Sequence, residues 1–174
     1  MQRRTLENLT LENEDYHFEG DLTIKGDVII KNSNLTVTGT INFSKESSNI
    51  SIIGGNISSK KLLTSAPITI RDGDITVDYL AADSNIDSDS NIEVSSYSYA
   101  QNITCMNYLV SGINNSKNIT CMQDIYIIGT NNSYHIKARD VLIGGSCILN
   151  NFTLTAKSFL CEGEVIDCSS MLVG

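Results

Sequence analysis

The residues best equipped for chemistry are an acidic cluster between Arg71 and Glu93, RDGDITVDYLAADSNIDSDSNIE, and five cysteines that all lie from Cys105 onward. In the cluster, Asp72, Asp74, Asp78, Asp83, Asp87 and Asp89 offer carboxylates for cation binding or acid–base work. A calcium loop requires Gly at its sixth position and Glu at its twelfth. Counted from Asp87 these positions are Ile92 and Ser98, so the loop is not met. Glycoside hydrolysis needs a groove and one carboxyl kept protonated, and the pattern supplies neither. Aspartates are seldom buried. The expectation is a solvated acidic face, open to a basic protein partner.

Cys105, Cys121, Cys147, Cys161 and Cys168 contain no CxxC pair, and the two histidines, His17 and His135, stand in no metal-ligand spacing with them. A nucleophilic thiol needs a basic neighbour to lower its pKa, and none is apparent. Cys105 and Cys121 therefore read as inert interior thiols. The odd count argues against a disulfide framework and for a reducing cytoplasm. The glycine pairs at Gly54 and Gly144 are not followed by Lys-Ser/Thr, so they form no phosphate loop. No catalytic, cofactor-binding or metal-binding residue is assigned, and the chain is expected not to be an enzyme.

The elements around these residues are set by a repeat. The phrases NLTV at Asn34, NISI at Asn49, PITI at Pro67, NIDS at Asn85, NITC at Asn102 and Asn118, HIKA at His135 and NFTL at Asn151 share one apolar anchor. The anchors are Leu35, Ile50, Ile68, Ile86, Ile103, Ile119, Ile136 and Phe152, spaced by 15, 18, 18, 17, 16, 17 and 16 residues. So constant a consumption of backbone is what one turn of a solenoid requires. Apolar and polar residues alternate within each phrase, as in a strand with one buried face. The expected fold is all-β, a single-domain parallel β-helix of about 17 residues per turn. Right-handed coiling follows from the hand of parallel crossovers.

All eight anchors are expected in one internal column, with Val37, Ile52, Ile70, Ser88, Cys105, Cys121, Ala138 and Leu154 two residues on. A second strand would turn in Ile41, Ile57, Ile75, Ile92, Leu109, Ile125, Val141 and Phe159. Leu62, Leu63, Leu80 and Ile148 are candidates to close the cross-section. The Asn before most anchors suits a bend, and stacked amides can bond along a column. The sequons at Asn34, Asn49, Asn102, Asn118 and Asn151 are products of that repeat rather than glycosylation signals. Tyr79, Tyr97, Tyr99, Tyr108 and Tyr126 suit cross-strand packing or an exposed aromatic strip.

Residues 1–20 read as an N-terminal cap and 21–174 as the solenoid. The C-terminus stops on Met171, Leu172 and Val173 with no polar cap, a candidate surface for homo-oligomerisation. The net charge of −8 and scattered lysines and arginines exclude a phosphate-binding stripe, so nucleic acid is not an expected partner. No apolar run is long enough for a transmembrane segment, and the first residues do not form a secretory signal.

The stretch FEGDLTIKGDVIIKNSNLTVTGTI, from Phe18 to Ile41, resembles the repeats of bactofilins. That resemblance implies a right-handed β-helix that polymerises without nucleotide. The later turns depart from it by their wealth of Asn, Ser and Cys. Three functions stand in order: a scaffold that self-associates through its ends, a protein-binding inhibitor or adaptor using the acidic face, and a carbohydrate-binding or carbohydrate-active β-helix.

Overall fold

The alternation of apolar and polar residues is realised as a parallel β-solenoid of about nine turns, with about 18 residues in each. The computed structural model describes residues 2–44 and 49–174, with the backbone alone for 148–152 and 166–170. Every strand pairing is parallel and joins one turn to the next, giving three faces, here A, B and C, met in the order C, A, B along the chain.

On face A the inward register runs Leu9, Val28, Ile50, Ile68, Ile86, Ile103, Ile119, Ile136, Leu154 and Met171. Six of the eight expected anchors therefore form one column. Leu35 does not belong to it: it lies on face B between Tyr16 and Ile57. The short interval from Leu35 to Ile50 crosses from one face to another, whereas the true repeat from Tyr16 to Leu35 and on to Ile57 is longer than later turns. The side chain of Phe152 lies outside the described residues, and the position over Ile136 is held by Leu154.

Face B carries Tyr16, Leu35, Ile57, Ile75, Ile92, Tyr108, Ile125, Val141 and Phe159. Ile41, assigned to this column from sequence, belongs to face C, and Leu109 points outward while Tyr108 is fully buried. Face C runs Arg4, Leu22, Ile41, Leu62, Leu80, Ser98, Asn114, Asn131, Cys147 and Val165. Of the residues expected to close the cross-section, Leu62 and Leu80 do so, Leu63 is half-buried, and the Ile148 side chain lies outside the described residues. Within the segment 1–20, read as a cap, the strands Gln2–Leu6, Leu9–Glu12 and Tyr16–Phe18 place one strand on each face.

The core is mostly apolar, and each fully buried Ile, Leu or Val in it contributes about 1.5–3 kcal/mol relative to exposure. The corner between faces A and B is built as a ladder. Asn13, Asn32, Gly54 and Asp72 adopt positive φ there in four successive turns, a conformation open to Gly and to Asn or Asp. One residue further on, a Cβ at Gly73 would sit 1.8 Å from the carbonyl oxygen of Gly55, so only glycine fits. Two residues past the positive-φ position, Asp15, Asn34, Asn56, Asp74, Asn91 and Asn107 stack. Each accepts, through its side-chain oxygen, a bond from the backbone or amide nitrogen of the next turn, at 2.8–3.2 Å. A second amide ladder at the corner before face A joins Asn85, Asn102 and Asn118.

Candidate interaction surfaces

The solenoid ends are two different surfaces made from the same strand geometry. At the C-terminal end Val165, Met171 and Val173 occupy inward register positions over Cys147, Leu154 and Ala156. Among the described residues no further turn packs on them, and they are 44 %, 44 % and 45 % exposed, with outward-facing Leu172 more exposed still. The strands Ser158–Cys161 and Val165–Val173 pair on one side only. At the N-terminal end Arg4 holds an inward register position above Leu22. Its guanidinium donates to the Tyr16 hydroxyl at 2.9 Å and lies 5.9 Å from the centre of that ring. A cation is thus held at this end, where Leu9 and Leu11 are buried. The inward register positions Val165, Met171 and Val173 at the other end include no cation.

The acidic residues do not form one face. Asp72, Asp74 and Asp89 gather at the corner between faces A and B, with Asp87 beside them on face A. Asp78 lies at the corner between B and C, and Asp83 at the corner between C and A. Several are structural acceptors: Asp89 takes the Asp72 amide, Asp74 takes the amide of Asn91, and Asp87 pairs with Arg71 at 2.6 Å. Among the described residues no group of three or more His, Cys, Asp or Glu could hold a metal ion.

Cys105 and Cys121 are in register and buried, with their sulfurs 3.3 Å apart. The bond to Cys105, reinforced by burial, pushes the Cys121 thiol well above its ordinary pKa. A thiol held protonated in this way is a poor nucleophile. Beside them lies a buried polar cluster that sequence reasoning missed. Its centre is the Tyr108 hydroxyl, which bonds Ser98, Asn114 and Ser116. Asn114 donates to Asn131 and Ser133, both at 2.7 Å, and Asn131 reaches the Cys147 sulfur. Burial pushes the Tyr108 hydroxyl pKa up, outweighing the bonds from Ser116 and Ser98. The signal available was register: Tyr108-x-Val110 falls one turn after Ile92-x-Val94 and one before Ile125-x-Ile127.

The tyrosines are divided as well. Tyr79 and Tyr97 stack on face C with ring centres 4.8 Å apart, and Lys61 lies over the far face of Tyr79. This leaves little ring face for a sugar. Tyr126 belongs to an outward ladder on face B, Leu109, Tyr126, Leu142 and Leu160, which continues Thr36, Ser58, Thr76 and Glu93 of the earlier turns. Tyr126 and Leu160 in this ladder, and nearby Met122 and Ile128, are 44–62 % exposed.

Among the described residues no helix is long and apolar enough to cross a membrane. No protein-family model matches the sequence, and no curated protein or solved structure matches it.

Proposed function

We propose that this chain is a non-catalytic scaffolding rod that self-associates through the ends of its solenoid, acting in the cytoplasm. The observation that carries this reading is the C-terminal end, where Val165, Met171 and Val173 leave the core open beside unpaired strand edges. An exposed edge of this kind invites another strand unless charge, Pro or a helix covers it. Two such ends meeting would bury apolar side chains and pair backbone groups in one step. A contact at the N-terminal end would first have to displace Arg4 from Tyr16, so the C-terminal end is the stronger surface. The bactofilin-like phrases from Phe18 to Ile41 favour the same reading.

The inhibitor or adaptor reading keeps one support, the Asp72, Asp74, Asp87 and Asp89 group on a single ridge. Sedimentation of the native chain beside a Met171→Lys, Val173→Glu variant tests the scaffold. Native association that the variant lacks is the expected result. Monomers in both at high micromolar concentration would leave the adaptor as the better reading.

A further inference from the structure

We propose that the ridge between faces A and B is a second, lateral interface, on which another copy of the chain docks antiparallel about a two-fold axis. The inference does not depend on association through the ends. Along this ridge the charge shifts from mainly acidic to mixed. The earlier turns present Asp72, Asp74, Asp87 and Asp89, with Arg71 as the cation in contact. Two turns beyond Asp89 the exposed Met122 occupies the same corner, and the following turns bring Lys137, Arg139 and Lys157.

Arg139 is held by Asp124 and Asp140. The ammonium groups of Lys137 and Lys157 make no ion pair among the described residues. Each stretch also has a groove. One of about 350 Å³ is lined by Asp74, Asn91, Glu93 and Asn107 and closed by Leu109 and Tyr126. The other, of about 510 Å³, is lined by Met122, Lys137, Arg139 and Lys157.

A two-fold axis requires that each contact occur twice, with residue i on j and j on i. Placed between the turns of Met106 and Met122, it sets Lys137 against Asp87 and Arg139 against Asp89, while Lys157 comes opposite Arg71 with Asp72 beside it. Met106 then meets Met122, and Leu109 meets Tyr126. A parallel arrangement would set like charge on like charge. The net charge of −8 opposes association, but at about 0.15 M salt this repulsion is screened beyond about 8 Å while contacts persist. Six turns at about 4.8 Å give a contact somewhat under 30 Å long, the scale of a small, reversible interface.

The test uses full-length chains carrying Met171→Lys and Val173→Glu, so that the ends are blocked. This chain should sediment as a reversible dimer at high micromolar concentration. Adding Lys137→Glu, or instead Asp87→Lys, should weaken the dimer at least tenfold. An equimolar mixture of the two charge-reversed chains should recover it, because every reversed pair again meets its opposite. Met122→Cys, at an exposed position, should be joined to itself by a short bis-maleimide beyond whatever the same reagent yields with the parent chain. A blocked-end chain that stays monomeric, or a mixture that does not recover the dimer, would overturn the lateral interface and leave end association standing.

Discussion

The early and late turns of this rod solve the same packing problem with opposite distributions of polarity. Before Ser98, face C turns Leu22, Ile41, Leu62 and Leu80 inward, and face B shows Thr36, Ser58, Thr76 and Glu93 to solvent. From Ser98 on, the inward positions of face C become Ser98, Asn114 and Asn131, while face B turns Leu109, Tyr126, Leu142 and Leu160 outward. In-register stacking allows both. It brings the buried amides and hydroxyls of neighbouring turns within reach of one another, so polar groups that would be costly when alone satisfy one another.

That contrast can be broken most severely in the apolar half. Ile41 is fully buried between Leu22 and Leu62, where an amide would find no side-chain partner. Ile41→Asn should destabilise by about 4 kcal/mol, combining lost apolar burial with an unpaired polar group. Denaturant unfolding measures it, and a cost below about 1 kcal/mol would mean the early interior tolerates polarity as the late one does.

A smaller loss is expected in the polar half. Tyr108→Phe keeps the ring but removes the hydroxyl shared by Ser98, Asn114 and Ser116, at a cost of about 1–3 kcal/mol. Its pH dependence sharpens the point. Below the ordinary tyrosine value of 10.0 the phenol is protonated in both states, and the native advantage is fully present. Above 10.0 the unfolded chain loses the proton and the buried phenol keeps it, so stability falls as pH rises. The variant should lack that part of the alkaline slope; an unchanged slope would mean the hydroxyl is not sealed from solvent.

The smallest effect belongs to the outward ladder. Leu142→Thr restores the polarity of the early turns on face B and should change stability by no more than about 0.5 kcal/mol. A larger loss in thermal unfolding would show that the ladder supports the fold rather than merely lying on it.

Much of this architecture was legible because buried isoleucines recur at a nearly fixed interval. The column from Ile50 to Ile136 and most of the face B column followed from that recurrence. Leu35 was misplaced because the same Asn-apolar-Thr phrase serves two different corners, and only the longer early turns distinguish them. The polar interior was hidden for a different reason. Ser98, Asn114 and Asn131 carry the residue types of an exposed strand face, and alternation alone assigns such residues outward. The same ambiguity made Leu109, rather than Tyr108, look buried. The Arg4–Tyr16 contact at the first turn depends on a register that sequence spacing does not reveal.

The Asx ladder at the A–B corner makes the rod a ruler. From Asp15 to Asp124 each turn is joined to the next by one side-chain oxygen meeting one nitrogen, so within this stretch a whole turn is an interchangeable unit. Excising residues 75–91 would set Ile92 above Ile57 and let Asp74 receive the Asn107 amide, closing the ladder over the gap. The rod would be shorter by one strand spacing, about 4.8 Å, with both of its ends unchanged. Length in this fold is therefore counted in whole steps, and a lineage could alter reach by gaining or losing a turn without redesigning either end.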